Sequence, residues 1–217
     1  MTDWATISSL ATAGGTLVLG VATFASVRSA NRAARAAESA LLEGLRPVLI
    51  GSRLQDPPEK VRFMDGRWVR IPGGCGVVER DNGTIYLGLA LRNVGAGLAV
   101  LHGWYLFPTL PRGREAAPRP AEEFRRTTRD LYVGPGDTGF WQGALRDPDD
   151  EGHRDLTKLL ENDGPGFTID LLYGDIEGGQ RVVSRFALTP YEREGDDAPR
   201  WLISVSRHWN LDRDDPR

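Results

Sequence analysis

Three glycines follow the spacing of a dinucleotide-binding loop. Gly134, Gly136 and Gly139 match G-x-G-x-x-G, a pattern whose backbone approaches a pyrophosphate closely. That function requires a helix that opens at the glycines, whereas the FWQ that follows is typical of a strand. We therefore predict a turn before a strand, and no bound cofactor.

The stretch DPDDEG, 147–152, follows the first half of a calcium-binding loop. The twelfth position of such a loop supplies a bidentate glutamate, but this chain has Lys158 there. An acidic turn that caps a helix is the better interpretation. Leucine spacing predicts that helix over 153–162, with Asp150 or Gly152 as its cap.

The histidines do not form a metal-binding pattern. His102, His153 and His208 each lack a partner three or four residues away, so we predict no metal site. No nucleophile elbow, phosphate loop or zinc-protease motif occurs. We predict a non-enzymatic protein. The alternative is a hydrolytic or transfer site in which Asp137, Glu151 and His153 converge in space.

Two other groups of side chains each leave two interpretations open. Clustered guanidinium groups bind anions, but charges along a strand edge also prevent aggregation. This choice concerns Arg125, Arg126 and Arg129. Tryptophans can line a platform for a sugar or a peptide, but they more often fill the core of a β-domain. This choice concerns Trp104, Trp141, Trp201 and Trp209.

The composition is that of a folded chain without a disulfide framework. The 217 residues are 40% hydrophobic and 26% charged, which excludes a mostly disordered chain. Cys75 is the single cysteine, and its surroundings, PGGCG, predict a loop with an accessible thiol. A formal charge of −3 and a sequence pI near 5.7 argue against a nucleic-acid partner.

A membrane-spanning helix is predicted near the N-terminus. No charged residue occurs from Trp4 to Val27, and about 20 apolar residues suffice to cross the hydrocarbon core of a bilayer. We assign 1–5 to a short tail and 6–27 to a transmembrane helix. A cleavable signal peptide would need basic residues before the apolar stretch, but only Met1, Thr2 and Asp3 precede it. A buried helix of a soluble protein is the other alternative.

Charges beside the predicted span set its orientation. Arg28, Arg32 and Arg35 follow it, and no Lys or Arg precedes it. The positive-inside rule then places the C-terminal domain in the cytoplasm, at the cell membrane.

Small and hydroxyl-bearing residues form one stripe of the predicted span. Such stripes let two helices approach closely in lipid, which predicts a homo-oligomer or a partner helix. Harmless exposure to lipid is the alternative. The stripe consists of Ser9, Thr12, Ala13, Thr16, Gly20 and Thr23.

Residues 28–46 are rich in alanine and free of proline, which predicts a juxtamembrane helix that continues the span. A rigid spacer is the first interpretation, and a dimeric stalk is the alternative. Residues 47–217 carry a formal charge of −4, because the first 46 residues contribute +1. An anionic leaflet repels such a domain, so we expect it to stand off the membrane.

The remainder of the chain has the pattern of β-structure. Asp65-Gly66 and Asn82-Gly83 lie between strand-like stretches and predict two hairpins. The leucines of LGLAL, 87–91, alternate with small residues and predict a strand with one buried face. Further short strands follow at the spacing of a β-sandwich, and 108–124 is predicted as a long exposed loop.

Three stretches carry a resemblance to a known type of domain. LALRNVGAGLAVLHGW, LYVGPGDTGFW and YGDIEGGQRVVSRFAL resemble the NxGxGxA element, the PGD turn and a late hairpin of immunoglobulin-like bacterial domains. With the apolar N-terminus, the chain resembles uncharacterised single-pass membrane proteins of high-GC Gram-positive bacteria. The resemblance implies an immunoglobulin-like β-sandwich over 47–217 and supplies no activity. Asn93, Gly95 and Gly97 are then turn formers that need permissive backbone angles.

These patterns together predict a mainly β protein with an N-terminal transmembrane helix, a juxtamembrane helix and a β-sandwich. The expected function is that of a membrane-anchored, non-enzymatic module for protein interaction or scaffolding. Its expected partners are the lipid bilayer and a protein whose identity the sequence does not give. An extracytoplasmic domain whose tryptophans bind sugars, and a hydrolase or transferase, are the alternatives.

Overall fold

The computed structural model describes residues 3–110, 118–191 and 200–213, apart from the side chains of residues 5–7, 9 and 11. The chain divides between Gly44 and Leu45 into two compact units. The first is helical and the second is a β-domain. The mainly β prediction is therefore confirmed.

The first unit is one uninterrupted helix, α1, over Trp4–Gly44. It joins the predicted span and the predicted juxtamembrane helix without a break at residue 27. Glycine and the nearby Pro47 end it, because the residue before a proline is disfavoured in helical conformation. The hydroxyls of Thr12, Thr16 and Thr23 donate to carbonyls four residues earlier, at 2.8–2.9 Å.

The prediction that residues 6–27 cross a membrane is not supported. Among the residues that the structure describes, no helix is both long and apolar enough to span a bilayer. The reason lies in the composition of the stretch, since ten of its 22 residues are Ser, Thr or Gly. These residues lower the mean hydropathy although no charge interrupts the stretch.

The second unit is built on one curled antiparallel sheet. Its strands follow the order β1-β5-β4-β11-β10-β9-β6-β7, and β8 pairs with β5. The sheet comprises β1 (Leu49–Gly51), β4 (Cys75–Asp81), β5 (Thr84–Asn93), β6 (Ala99–Phe107), β7 (Arg125–Val133), β8 (Thr138–Leu145), β9 (Phe167–Gly174), β10 (Arg181–Tyr191) and β11 (Arg200–Asn210). Two further strands, β2 (Glu59–Arg62) and β3 (Trp68–Ile71), form a separate hairpin. The helix α2 covers Glu151–Glu161.

The curl brings the two ends of the main sheet together. Residues 85–89 of β5 pair with β4 on one side and with β8 on the other, so β8 is an outer strand. The other outer strand is β7. Arg129 of β7 donates from Nη2 to Oε1 of Gln142 on β8 at 2.9 Å. We call this junction of β7 and β8 the seam.

The predicted turns are present. Asp65-Gly66 joins β2 to β3, with Gly66 at φ 89°. Asn82-Gly83 joins β4 to β5, and both residues have positive φ, 47° and 78°, as a two-residue hairpin turn requires. A short 3-10 helix at Ala121–Glu123 lies within the predicted loop 108–124, of which 111–117 lie outside the described residues.

The core confirms the predicted leucine face and corrects the prediction for Cys75. Leu87, Leu89 and Leu91 are fully buried in the main cluster inside the curled sheet. Cys75 is fully buried as well, because it begins β4 instead of lying in a loop. The glycines beside it serve close packing, since a Cβ at Gly74 would lie 3.0 Å from the backbone nitrogen of Leu54.

Asn93 joins four segments of the β-domain. Its buried Nδ2 donates to the carbonyls of Gly97 and Val133, at 2.7 and 3.0 Å. Its Oδ1 accepts from the backbone nitrogens of Val48 and Gly95, at 3.1 and 3.0 Å. The amide thereby ties the start of β1, the loop after β5 and the end of β7 together.

Gly95 and Gly97 are needed for space, which corrects their prediction as residues with permissive backbone angles. Neither has a positive φ. A Cβ at Gly95 would overlap the carbonyl oxygen of Arg46, and one at Gly97 would overlap that of Leu45. The chain entering β1 therefore passes against these two glycines.

Replacing Asn93 should destabilise the β-domain strongly. Asn93→Ala leaves two buried carbonyls and two backbone N–H groups without their partner, and each unsatisfied group costs about 1–3 kcal/mol. We expect the free energy of unfolding of residues 45–217 in urea to fall by more than about 3 kcal/mol. Asn162→Ala, which removes one exposed hydrogen bond at the end of α2, serves as the control and should cost under about 1 kcal/mol. Equal losses in the two variants would contradict this role.

Candidate functional site

The residues proposed for an enzyme site do not converge. The backbone carbonyl of Asp137 accepts from Asn93, at one end of β5. His153 Nε2 lies 2.8 Å from the carbonyl of Gly83, at the other end of the same strand. His153 is buried on α2, whereas Glu151, two residues earlier in the same helix, is exposed, so the His153 ring has a structural contact and no cleft in common with Asp137.

The two loops with motif-like spacing have structural roles. The turn with Gly136 at φ 79° leads into β8, which confirms the prediction of a strand after the glycines. Asp150 caps α2 by accepting from the backbone nitrogen of His153 at 3.1 Å, which confirms one of the two predicted caps. In the described part of the chain, no group of three acidic, histidine or cysteine side chains could hold a metal ion.

A buried hydroxyl chain connects four strands. The backbone N–H of Leu49 donates to the Tyr173 hydroxyl at 3.0 Å. The same hydroxyl lies 2.9 Å from Ser184 Oγ. Ser184 Oγ lies 2.8 Å from Nδ1 of His208. The last two residues have the spacing of a nucleophile and its base, but Ser184 is 0% exposed and no substrate can reach it. Burial raises the pKa of Tyr173 to about 12.

An ion pair lies inside the domain. Arg185 Nε and Nη2 each donate to one oxygen of Asp170 at 2.7 Å, and the two residues are 3% and 0% exposed. The guanidinium carbon of Arg185 lies 4.6 Å from the Phe107 ring centroid and 5.0 Å from that of Trp209. Burial raises the pKa of Asp170 and lowers the pKa of Arg185, and the bidentate pairing opposes both effects. This closed pair offers no ligand site.

The best candidate for a binding site is a pocket at the seam. Opposite His102 of β6, four residues of β7, 127–130, bulge out of the pairing register. A bulge bends an edge strand and redirects its side chains, and here Arg129 reaches Gln142 across the seam. Beside this contact lies a cavity of about 220 Å³. It is lined by Phe63, Met64, Trp104, Arg125, Arg126, Thr128, Gln142, Gly143, Ala144 and Arg146.

Three guanidinium groups make the seam pocket cationic. Arg125 donates to Asp150 at 2.7 Å and lies over the Trp104 ring, 5.4 Å from its centroid. Arg146 donates to Asp65 at 3.2 Å. Arg126 is exposed and makes no ion pair with any residue that the structure describes. The pocket therefore holds one more guanidinium than carboxylate partners, which suits an anionic ligand.

Gly143 makes room for two tryptophan rings beside the seam pocket. A Cβ at Gly143 would lie 2.7 Å from the Trp141 ring and 3.2 Å from the Trp104 ring. The rings of Trp104 and Trp141 pack edge to face, 5.2 Å apart. Trp201 and Trp209 are buried as well, which confirms that these four tryptophans fill the core and do not form an exposed platform.

Arg126 also lines a second, larger depression of about 590 Å³. That depression includes His102, Glu122 and Arg181. The pKa of His102 lies below its usual value, mainly because partial burial disfavours the imidazolium and also because Arg181 is near. Arginine side chains therefore line both depressions next to β7.

The structure leaves the residues predicted on α1 as an exposed surface. Thr12, Ala13, Thr16, Gly20 and Thr23 are exposed, and the side chain of Ser9 lies outside the described residues. Arg28, Arg32 and Arg35 are exposed on the same helix. Contact between helices and the orientation in a membrane stay predictions.

The ion pair of Asp150 should make the stability of the β-domain depend on acid pH. The Arg125 hydrogen bond and the cap to His153 hold the pKa of Asp150 below its usual value. A depressed pKa gives stability above the unfolded value of about 3.9, and this stability is lost as pH falls through the folded value. Asn also caps helices, so Asp150→Asn should keep the fold and show a smaller loss of unfolding free energy between pH 5 and pH 3. The neighbouring Asp149→Asn should keep the wild-type loss, and an identical pH profile for all three proteins would contradict the assignment.

Comparison with known proteins adds no relative. No protein-family model, curated protein or solved structure matches this chain. The resemblance to immunoglobulin-like bacterial domains therefore stays a prediction.

Proposed function

We propose that this protein is a non-enzymatic interaction module that α1 attaches to a lipid bilayer. Its β-domain binds an anionic segment of a protein partner at the seam pocket, on the cytoplasmic side. The observation that carries the proposal is the exposure of large apolar side chains over more than half of the circumference of α1.

The apolar side chains of α1 need a cover. Leu17, Val18 and Leu19 follow one another, so they point in three directions around the helix, and each is more than two-thirds exposed. Leu10, Val21 and Phe24 extend this surface to both ends. A helix with so broad an exposed apolar surface is stable in water only when another apolar phase covers that surface.

Lipid fits this surface better than a protein groove does. A groove covers one face of a helix, whereas the acyl chains of lipids cover all faces at once. Arg28, Arg32 and Arg35 follow directly, and cations beside an apolar segment are attracted to anionic headgroups. The same arginines favour a cytoplasmic β-domain.

The extracytoplasmic alternative has little support. It depends on tryptophans that stack on sugars, but Trp104, Trp141, Trp201 and Trp209 are all buried. A stacking face has to be exposed to bind a sugar ring.

The seam pocket supports a protein partner with acidic side chains. Two outer strands meet there, and both present backbone groups to an incoming extended segment. Arg126 has no carboxylate partner among the described residues, while Arg125 and Arg146 already have partners. An acidic side chain would complete the charge balance of the pocket.

Attachment to lipid is tested by flotation. The full chain, reconstituted with phosphatidylcholine vesicles, should rise with them in a sucrose gradient because α1 buries its apolar side chains. Val18→Asp with Phe24→Asp should leave the protein at the bottom, since an acidic side chain at the centre of a bilayer costs roughly 2.5–3.5 kcal/mol. Ala37→Asp with Ala40→Asp, in the same helix, should still float.

Extraction of the floated vesicles at pH 11 then separates an embedded helix, which stays, from a surface-bound helix, which is released. A wild-type chain that remains at the bottom as an oligomer would refute attachment, because copies of the chain would then cover the apolar surface.

Binding at the seam is tested with a labelled tetraglutamate peptide and fluorescence anisotropy. We expect salt-sensitive binding, and Arg126→Gln should weaken it about tenfold or more, because a hydrogen bond to a charged group contributes about 1.5–3 kcal/mol. Arg154→Gln, an exposed arginine of α2, is the matched control and should bind as the wild type does. Equal binding by all three proteins would show that the peptide does not use the seam pocket.

A further inference from the structure

The hairpin of β2 and β3 has one face that the main sheet does not cover. Val61 and Val69 point inward and are buried, so the alternate positions point away from the domain. We call these outward residues the hairpin face. They are Lys60, Arg62, Trp68 and Arg70.

The hairpin face concentrates positive charge without any acidic side chain. Lys60 lies directly opposite Arg70 in the register, and Arg62 lies opposite Trp68. Like charges in opposite positions destabilise a hairpin. None of the three cations forms an ion pair with a residue that the structure describes. The arrangement reduces the stability of the isolated molecule and favours an anionic surface as its partner.

Two large apolar side chains accompany these cations. Trp68 is 63% exposed and Met64, in the turn, is 73% exposed. Trp68 is the only exposed tryptophan among the described residues of the β-domain. Together with Lys60 and Arg70 it lines an open groove. Cations around an exposed indole are the composition of a surface that meets lipid headgroups and the outer part of the acyl chains.

The hairpin is held rigidly, so its outward face is preformed. Phe63 packs edge to face on Tyr86, 4.9 Å between ring centroids. The Tyr86 hydroxyl donates to Asp65 in the turn at 2.7 Å. Arg67 donates to Glu79 and Asp81 of β4, at 2.7 and 2.5 Å. Docking therefore requires little ordering of the hairpin.

We propose that the hairpin face docks on the headgroups of an anionic lipid bilayer and orients the β-domain there. The proposal rests on the attachment by α1 proposed above, which keeps the domain near a membrane. It differs from what net charge implies: residues 47–217 carry −4 overall, but this face carries three positive charges and no negative one. Along the whole hairpin, residues 59–71, four basic residues outnumber Glu59 and Asp65 by two, and charges beyond a Debye length of about 8 Å are largely screened.

A bilayer fits better than a nucleic acid. A long polyanion would contact more of the acidic domain than the hairpin face, whereas a bilayer presents a plane that one outward face can touch alone. The exposed apolar side chains of Met64 and Trp68 would also find no apolar surface to contact on a phosphate backbone, whereas a bilayer offers acyl chains.

The test uses the full chain in vesicles, with an environment-sensitive fluorophore on Met64→Cys in a Cys75→Ala background. Vesicles of phosphatidylcholine alone are compared with vesicles that contain 30% phosphatidylserine. We expect a blue shift only with phosphatidylserine, and a loss of the shift at high salt. A label on Ile176→Cys, an exposed turn between β9 and β10, should not shift.

Charge removal gives the matched comparison. Lys60→Gln, Arg62→Gln and Arg70→Gln together should abolish the shift, since each charge contributes roughly fivefold to partition onto an anionic surface. Arg80→Gln, Arg154→Gln and Lys158→Gln remove the same charge from exposed positions elsewhere and should leave the shift unchanged.

The outcomes separate this proposal from the attachment by α1. If the chain floats with both kinds of vesicle but the Met64 label never shifts, docking of the hairpin face is refuted and attachment stands. A shift of equal size in both vesicles, or a shift only on addition of single-stranded DNA or an acidic protein, also refutes docking on anionic lipid. If the chain does not float at all, attachment by α1 fails, and a shift with phosphatidylserine vesicles added from outside would still support the hairpin face.

Discussion

The β-domain depends on one buried amide, that of Asn93. A curled sheet leaves its strand ends at different heights, so the backbone groups there lack ladder partners. The Asn93 side chain supplies two donors and one acceptor to those groups and bonds four backbone atoms. Gly95 and Gly97 let the chain entering β1 approach closely enough for this to happen. The junction therefore holds the start of β1 and the end of β7 to the end of β5.

The interior of the same sheet holds two further polar arrangements, and both are satisfied within the domain. Arg185 and Asp170 pair in bidentate geometry between aromatic rings, and Tyr173, Ser184 and His208 form a hydrogen-bonded chain. Each resembles a piece of catalytic machinery when distances alone are considered. Burial decides the role, because groups that solvent cannot reach hold strands together and bind no substrate.

We propose that function instead belongs to the parts of the molecule that intramolecular packing leaves incomplete. Within the described ranges, the apolar side chains of α1 are exposed, Arg126 at the seam pocket has no carboxylate partner, and the cations of the hairpin face form no ion pair. Each deficiency specifies its partner by chemistry: acyl chains, an acidic segment and anionic headgroups. The three proposals follow from one physical principle, since exposed groups of these kinds are stabilised when a complementary phase or charge meets them.

Local patterns determined much of the fold. Turn dipeptides placed the hairpins, leucine alternation identified the buried face of β5, and an unbroken run without charge or proline predicted a long N-terminal helix. These signals are readable because backbone angles and strand periodicity act over a few residues. The alternation in KVR, 60–62, and WVR, 68–70, also indicates that the members of the hairpin face share one side of their strands. Only the strand register shows that the cations Lys60 and Arg70 lie opposite each other.

Tertiary structure decided what sequence spacing could not. Curling of the sheet brought Arg129 to Gln142. The extended strand β8 separates Asp137 from His153, which lie only 16 positions apart. Packing buried Cys75 and the four tryptophans of the β-domain core, although their neighbours allowed exposure. Net charge is a sum over the chain, whereas binding depends on which charges share a face. That placement is set by strand pairing between distant segments, and single-chain patterns do not determine such pairing.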